Sequence, residues 1–248
     1  TNVWISTAIR FQQHTEIYAD RGAFRACGDI APCISSLVKL ETGLKQVHAE
    51  SYLKQADEIF ANDIVISDGL SHPQAYIRAR ALQLHRDDAS NAEHTIAGML
   101  AGPLGTDKLD ILGQLDVQKI TRGVLRKLLA PAWFQTDAVP SLARKYFEDF
   151  SPASKPDEND STALPAGHQL DEYLSFVLLD FATADTSLEE YPVMATLRLS
   201  GQLGVAETFE RMLIKEIKLK KTQLSHLKKD AEAMLSKIEA NSNATAPR

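Results

Sequence analysis

Two carboxylates near the start of the chain, Glu16 and Asp20, have a spacing that could serve chemistry. On a helix, residues four positions apart lie on one face, about one turn from each other. One carboxylate can then bind a metal ion or act as a base while the other orients a neighbouring ligand. The alternative is a solvated acidic face paired with Arg10, Arg21 or Arg25. Spacing alone favours that alternative, because exposed carboxylates are common.

A second group of reactive side chains follows in Ser71-His72-Pro73, with Arg78 five residues after the proline. An imidazole can stabilise the charge that develops on a substrate oxygen, and a guanidinium binds carboxylates through its planar fork. Neither segment is distinctive alone. Their order and separation along the chain make them informative.

Taken together, the two segments resemble part of one zinc metallopeptidase family, the gluzincins that include the bacterial heat-shock protease HtpX and the CAAX prenyl endopeptidases. Glu16-x-x-Ala19-Asp20 is similar to the helix that carries the third zinc ligand of that family. Ser71-His72-Pro73-(x)4-Arg78 is similar to its later S-H-P-x-x-x-x-R element. The resemblance covers residues 4–84, about a third of the chain.

The resemblance implies a role for each residue of the two motifs. Glu16 would be a zinc ligand, and Asp20 would accept a hydrogen bond from a histidine ligand or from Arg78. His72 would lie near the substrate carbonyl and stabilise the oxyanion, and Arg78 would hold the acidic helix. The implied reaction is hydrolysis of a peptide bond in a polypeptide substrate by zinc-activated water.

The chain contains no H-E-x-x-H, the helix that would supply two histidine ligands and the general base. We expect that helix upstream of Thr1, so that the parent protein is a zinc metalloendopeptidase and this chain alone is an inactive fragment. Two alternatives stay open. The chain could be a helical adaptor that keeps the peptidase-like scaffold for binding, or the motif match could be accidental on a plain helical scaffold.

Other catalytic patterns in the sequence are incomplete or missing. His14-Thr15-Glu16 with Cys33 suggests a zinc deaminase, but that pattern needs a cysteine where Ser36 stands. The Gly-rich phosphate-binding and nucleophile-elbow motifs are missing from the sequence. Both cysteines are predicted to be buried free thiols. The remaining histidines lack metal-ligand spacing and are predicted to be surface or capping residues: His85, His94, His168 and His226.

Composition excludes several function classes. The net charge is −6 and the pI is near 5.7, which argues against a nucleic-acid partner. The sequence contains no apolar run of the roughly 18–20 residues that span a membrane, and its N-terminus does not resemble a signal peptide. The resemblance implies a parent in the bacterial cytoplasm or near a membrane, and the sequence does not decide its localisation.

Apolar periodicity predicts an all-α protein, because helical spacing recurs and strand patterns are nearly missing. Trp4, Ala8 and Phe11 begin an apolar stripe that continues through Tyr18. Asp29 is predicted to cap the second helix, and Ser71 the fourth, with Pro73 in its first turn. The predicted helices cover 4–23, 30–41, 49–60, 71–85, a short piece of 87–105, 108–129, 138–150, 170–184, 188–203 and 206–240.

Composition also predicts the domain organisation. Residues 1–150 are interpreted as the C-terminal helical part of a zincin-like domain, and 151–168, rich in Pro, Ser and acids, as a linker. Residues 169–240 would form a small helical domain with a long C-terminal helix, and 241–248 a disordered tail. Within this domain, 169–218 resembles tellurite-resistance (TerB-like) modules. There Asp185 is expected to cap a helix rather than bind a cation, and 213–240 is a candidate for helix-mediated self-association.

Overall fold

The computed structural model describes residues 3–62, 65–67, 72–107, 109–152, 162–165 and 167–244, with the backbone alone for 62, 239 and 241–244. Over these ranges the protein is helical and contains no strand, which confirms the all-α prediction. Two short 3-10 turns lie at Ala132–Phe134 and Thr186–Leu188. The α-helices are α1 Val3–Cys27, α2 Ile30–Thr42, α3 Ala49–Asn62, α4 Ala75–Asp87, α5 Ala92–Ala101, α6 Ile111–Leu128, α7 Ala138–Tyr146, α8 Asp171–Ala182, α9 Tyr191–Leu203, α10 Ala206–Glu216 and α11 Lys221–Ala244.

The chain forms two compact units. The first comprises Thr1–Pro103 with Lys108–Leu112, and the second comprises Leu104–Asp107 with Gly113–Arg248. The linker predicted at 151–168 therefore falls inside the second unit, and its residues 153–161 and 166 lie outside the described ranges. The peptidase-like and TerB-like assignments of the two halves stay predictions.

Local signals set the ends of α2 as predicted. The carboxylate of Asp29 accepts a hydrogen bond of 3.0 Å from the N–H of Ala31, which satisfies one of the free donors at the start of the helix. Gly43 ends the helix in the left-handed region, at φ 73°, where its N–H bonds the carbonyl of Lys39. These caps define both ends of α2.

Helix α4 is the centre of the first unit and packs against α1, α2, α3 and α5. Ala79 and Leu82 join a cluster with Ile34 and Val38 of α2, and on its other side Ile77 joins a second cluster with residues of α1 and α5. Small and branched residues on opposite sides of α4 thus let it be buried between its neighbours.

The start of α4 differs from the prediction. The helix begins at Ala75, four residues later than expected, so that Pro73 precedes it and is buried. Ser71, the predicted cap, lies outside the described residues. The N–H of Ala75 is instead bound by the carboxylate of Glu41 at 3.2 Å, a partner from α2 that local sequence does not indicate.

The apolar stripe predicted on α1 is exposed. Trp4, Phe11 and Tyr18 keep 73, 74 and 68 % of their surface accessible, while the opposite face buries Gln13 and Ile17. An apolar stripe normally faces the core. Helix α1 is therefore apolar on the face that it presents to solvent.

The second unit corrects another helix boundary. The single helix predicted over 206–240 is two helices, α10 and α11, separated where Lys218 adopts φ 57°. The heptad-like residues Leu224, Leu227 and Ala231 are buried in α11, which packs against α9. This apolar seam already has a partner within the unit, and self-association through 213–240 stays a prediction.

The two thiols have different environments. Cys33 is buried and Cys27 is exposed, so the prediction of two buried thiols is right for one and wrong for the other. Burial raises the pKa of the Cys33 thiol, which makes it a weak nucleophile. None of the helices in the described ranges combines the length and apolar character needed to cross a membrane.

Candidate functional site

The four residues selected from the sequence, Glu16, Asp20, His72 and Arg78, lie together in the first unit. We call them the four-residue cluster. Arg78, on the first turns of α4, donates from Nε to Oδ2 of Asp20 and from Nη2 to Oδ1, both at 2.7 Å. This is a bidentate pair between residues 58 apart in sequence. It fixes α1 against α4.

Glu16 lies one helical turn before Asp20 and is held between two partners. Its Oε2 is 3.1 Å from Nη1 of Arg78, and its Oε1 is 3.1 Å from Nδ1 of His72, a residue 56 positions away. Arg78 therefore contacts both carboxylates, and His72 closes the cluster from the segment that leads into α4. The hydrogen bonds with Asp20 raise the pKa of Arg78, and the negative charge of Glu16 adds to this effect.

Exposure increases steadily across the cluster. The side chain of Asp20 is 11 % exposed, Arg78 18 %, Glu16 28 % and His72 63 %. The Asp20–Arg78 pair is thus the structural base, and the imidazole stands at the outer end. Two carboxylates against one guanidinium leave one net negative charge when His72 is neutral. This excess of negative charge would attract a cation to the outer end of the cluster.

A chain of polar side chains supports the cluster from α1 to the segment before α4. Gln13, on the same face as Glu16 and Asp20, donates to the hydroxyl of Ser67 at 3.2 Å, and that hydroxyl donates to Gln74 at 3.2 Å. Sequence reasoning missed these residues. The available signal was Gln13, a polar residue on the buried face of a helix at heptad spacing from Asp20. Nothing local indicated Ser67 or Gln74.

The cluster does not amount to a complete zinc site. A catalytic zinc ion takes three protein ligands, and here one imidazole contacts one carboxylate whose oxygens are both engaged. Among the described residues, no group of three or more histidine, cysteine or acidic side chains is arranged to hold a metal ion. The chain's own donors therefore need additional ligands before they fit zinc. What they do provide is an oriented carboxylate with an exposed imidazole beside it.

A cavity of about 350 Å³ lies along α1 in the same unit. Arg21, on its wall, pairs with Glu93 and stacks over the ring of Tyr18 at 4.8 Å. Burial lowers the pKa of His14 and of His85, and Arg10 adds to the effect at His14. His85 was predicted to be a surface or capping residue, and the structure makes it part of this wall. The full lining is Phe11, His14, Thr15, Ile17, Tyr18, Arg21, His85 and Glu93.

In the second unit, Asp185 caps rather than chelates. Its Oδ1 accepts from the N–H of Ser187 at 2.9 Å and from the hydroxyl of Ser187 at 2.6 Å. These bonds lower the pKa of Asp185. The capped element is the 3-10 turn Thr186–Leu188 rather than the start of α9, so capping is confirmed with a different element.

We find no protein-family model, curated protein or solved structure that matches this chain.

Proposed function

We propose that this chain forms one wall of the active-site cleft of a zinc metalloendopeptidase, which cleaves peptide bonds in a polypeptide substrate. The observation that supports the proposal is the contact between Glu16 and His72, 56 residues apart, with Arg78 bound to the same carboxylate. Two short motifs selected from the sequence for a shared catalytic role are thus adjacent in the fold.

In this proposal each residue has a distinct task. Glu16 supplies a carboxylate ligand, and the bidentate Asp20–Arg78 pair fixes the helix that carries it. His72, the most exposed of the four, donates a hydrogen bond to the carbonyl oxygen of the substrate as negative charge develops there. The chemistry that zinc supplies in such enzymes is a Lewis acid and an activated water. The remaining ligands and the general base would come from a helix outside this chain.

A helical adaptor is the second candidate, and one observation favours it. Both carboxylate oxygens of Glu16 already have protein partners, so the cluster can serve as a tie between α1 and α4 without any metal. In that case the protein would bind a partner through its helical scaffold and would have no peptidase activity.

The two candidates separate in the full-length protein. We expect wild type to retain zinc and to cleave an unfolded polypeptide such as casein, and Glu16→Gln to lose both while its circular dichroism spectrum stays helical. Glu50→Gln is the matched control, because Glu50 is an exposed glutamate on α3. If wild type retains no zinc and cleaves no polypeptide, the peptidase proposal is wrong and the adaptor proposal takes its place.

A further inference from the structure

The outward face of α1 has a regular order of large and small side chains. Trp4, Phe11 and Tyr18 recur every seven residues, and all three are exposed. Each aromatic residue is followed, four residues later, by a smaller exposed residue: Ala8, Thr15 and Gly22. The next aromatic residue comes three residues after that. Alternating steps of four and three define the seam along which two helices pack with knobs into holes.

Most of this face carries no charge; the exposed Arg25 follows at the next position of the pattern, and Arg21 lies beside it over the ring of Tyr18. An outward helix face in water normally holds charged or strongly polar side chains, which keep it solvated. Here, by contrast, the exposed residues of the face are neutral from residue 4 to residue 23: Trp4, Ile5, Ala8, Phe11, Gln12, Thr15, Tyr18, Ala19, Gly22 and Ala23. A neutral aromatic stripe of this extent indicates that another surface covers it.

Gly22 gives an independent indication. Glycine inside a helix is less favourable than alanine, and it is retained where another backbone or side chain must approach closely. A Cβ added at Gly22 would meet no described atom within 4 Å, so the packing of the chain itself does not require glycine there. The space is left open on the outward face, where a large side chain of a partner could enter.

We propose that this face pairs with the same face of a second copy of the chain, with the two α1 helices antiparallel about a two-fold axis at the level of Gln13. In this register Trp4 lies opposite Gly22 of the second copy, Tyr18 opposite Ala8, and Phe11 opposite Thr15. Every aromatic ring meets a small residue, and the face is complementary to itself, as a two-fold interface requires. A parallel pair in register would instead set aromatic against aromatic and small against small.

The available area fits a dimer. An aromatic side chain buries about 150–250 Å². From their exposed fractions, Trp4, Phe11 and Tyr18 with Ile5 on both copies offer about 1,000 Å² in total, which reaches the lower limit of a specific interface. This inference does not rest on the peptidase proposal, because the four-residue cluster lies on the opposite side of α1.

Sedimentation of the full-length protein over a concentration series tests the dimer. We expect wild type to dimerise, and Phe11→Ser to raise the dissociation constant at least a hundredfold. Leu40→Ser is the matched control, because Leu40 is 85 % exposed on α2 and lies off the face, so its dissociation constant should stay within twofold of wild type. A wild type that stays monomeric at about 100 µM, a hundredfold above a micromolar dissociation constant, would overturn the proposal. Equal effects of the two variants would overturn it as well.

A size swap tests the register. Gly22→Trp alone should weaken the dimer at least tenfold, since Trp4 of the second copy would meet a large ring. Combining it with Trp4→Gly should restore the dimer to within threefold of wild type, because large again faces small in the antiparallel register. A double variant no tighter than the single one would refute that register.

Cross-linking tests the orientation. In the antiparallel register the two copies of Cys27 lie about 40 Å apart along the axis, too far for a short bis-maleimide. Thr15→Cys in a Cys27→Ser background places two thiols about 6 Å apart along the axis, so it should cross-link. Cross-linking between the two native Cys27 thiols would indicate a parallel pair and contradict the antiparallel register. A lack of cross-linking at position 15 would contradict pairing through this face.

Discussion

The two faces of α1 differ in the kind of side chain that each one buries or exposes. The inner face buries Ile17 beside Gln13 and Asp20, so it places polar groups in the interior and satisfies them with specific bonds. The outer face exposes the aromatic rings of Trp4, Phe11 and Tyr18, with Arg21 stacked over the ring of Tyr18 at its edge. A polar buried face and an apolar exposed face invert the usual amphipathic pattern. The comparison indicates that the inner face serves contacts within the unit, and the proposed dimer would give the outer face its partner.

The largest effect on stability should come from the inner ion pair. Arg78→Met leaves two carboxylates at the base of the cluster without their guanidinium, and we expect a loss of about 4 kcal/mol in the free energy of unfolding. Urea denaturation followed by circular dichroism measures it. Arg80→Met is the matched control on α4, because its pair with the half-exposed Asp57 should contribute less than about 1 kcal/mol. Equal losses would show that the cluster is no more than a surface pair.

Removing an apolar side chain from the inner face should lower the free energy of unfolding somewhat less. Ile17→Ala removes a side chain that is 4 % exposed and packs in the cluster around Ile77, so we expect a loss of about 3 kcal/mol. Its counterpart on the outer face is Ile5→Ala, at 57 % exposure, which should change the stability of the monomer by less than about 0.5 kcal/mol. Unfolding measured at protein concentrations below the dissociation constant of the proposed dimer compares the two variants in the monomer. A large effect of Ile5→Ala in the monomer would mean that the outer face belongs to the core.

A smaller effect should appear as pH dependence along the cavity next to the outer face. Burial lowers the pKa of His14 and of His85 in the folded protein. The unfolded chain therefore takes up protons first as the pH falls below about 6.5, and stability decreases through that window and is fully present above it. His14→Gln should flatten the decline between pH 7 and pH 5 in thermal unfolding. A flat wild-type profile would contradict the assignment.

The smallest stability change should come from the outermost aromatic residue. Phe11→Ser acts on a side chain that is 74 % exposed, so the free energy of unfolding of the monomer should shift by less than about 0.5 kcal/mol. The same change is expected to abolish most of the dimer. The free energy of unfolding would thus depend on the inner face of α1, and dimerisation on its outer face. If Phe11→Ser destabilised the monomer as much as Ile17→Ala, the distinction between the faces would fail.

Local features were predictable from sequence because local bonds create them. Asp29 and Gly43 mark the two ends of α2 through contacts within a few residues. Helical periodicity is likewise enough to predict an all-α fold. Features set by distant partners were not predictable. The start of α4 depends on Glu41 from another helix, and Lys218 ends α10 with a positive φ although lysine is a good helix former. Periodicity locates an apolar stripe but does not tell whether the chain itself covers it, so the exposure of Trp4 and Phe11 emerged only from the fold.

The four-residue cluster was predicted by motif resemblance rather than by spacing. Spacing alone favoured a solvated acidic face, and for Glu16 and Asp20 that alternative described the partners poorly, since the pairing arginine is Arg78 and not one of those nearby in sequence. The order of two motifs carried information that no single residue held. The supporting polar chain through Ser67 could not be predicted, because it depends on how α1 and the segment before α4 meet.

One comparison of variants tests the central claim most directly: the zinc content of full-length Glu16→His against full-length Glu16→Gln. Histidine can replace a glutamate as a zinc ligand but cannot form its ion pair with Arg78. If Glu16 is a ligand, Glu16→His should keep close to one zinc per chain while Glu16→Gln loses it, although both lose the same ion pair. If Glu16 is only a tie between α1 and α4, the two variants should hold equal amounts of zinc and be equally destabilised, which would contradict the account.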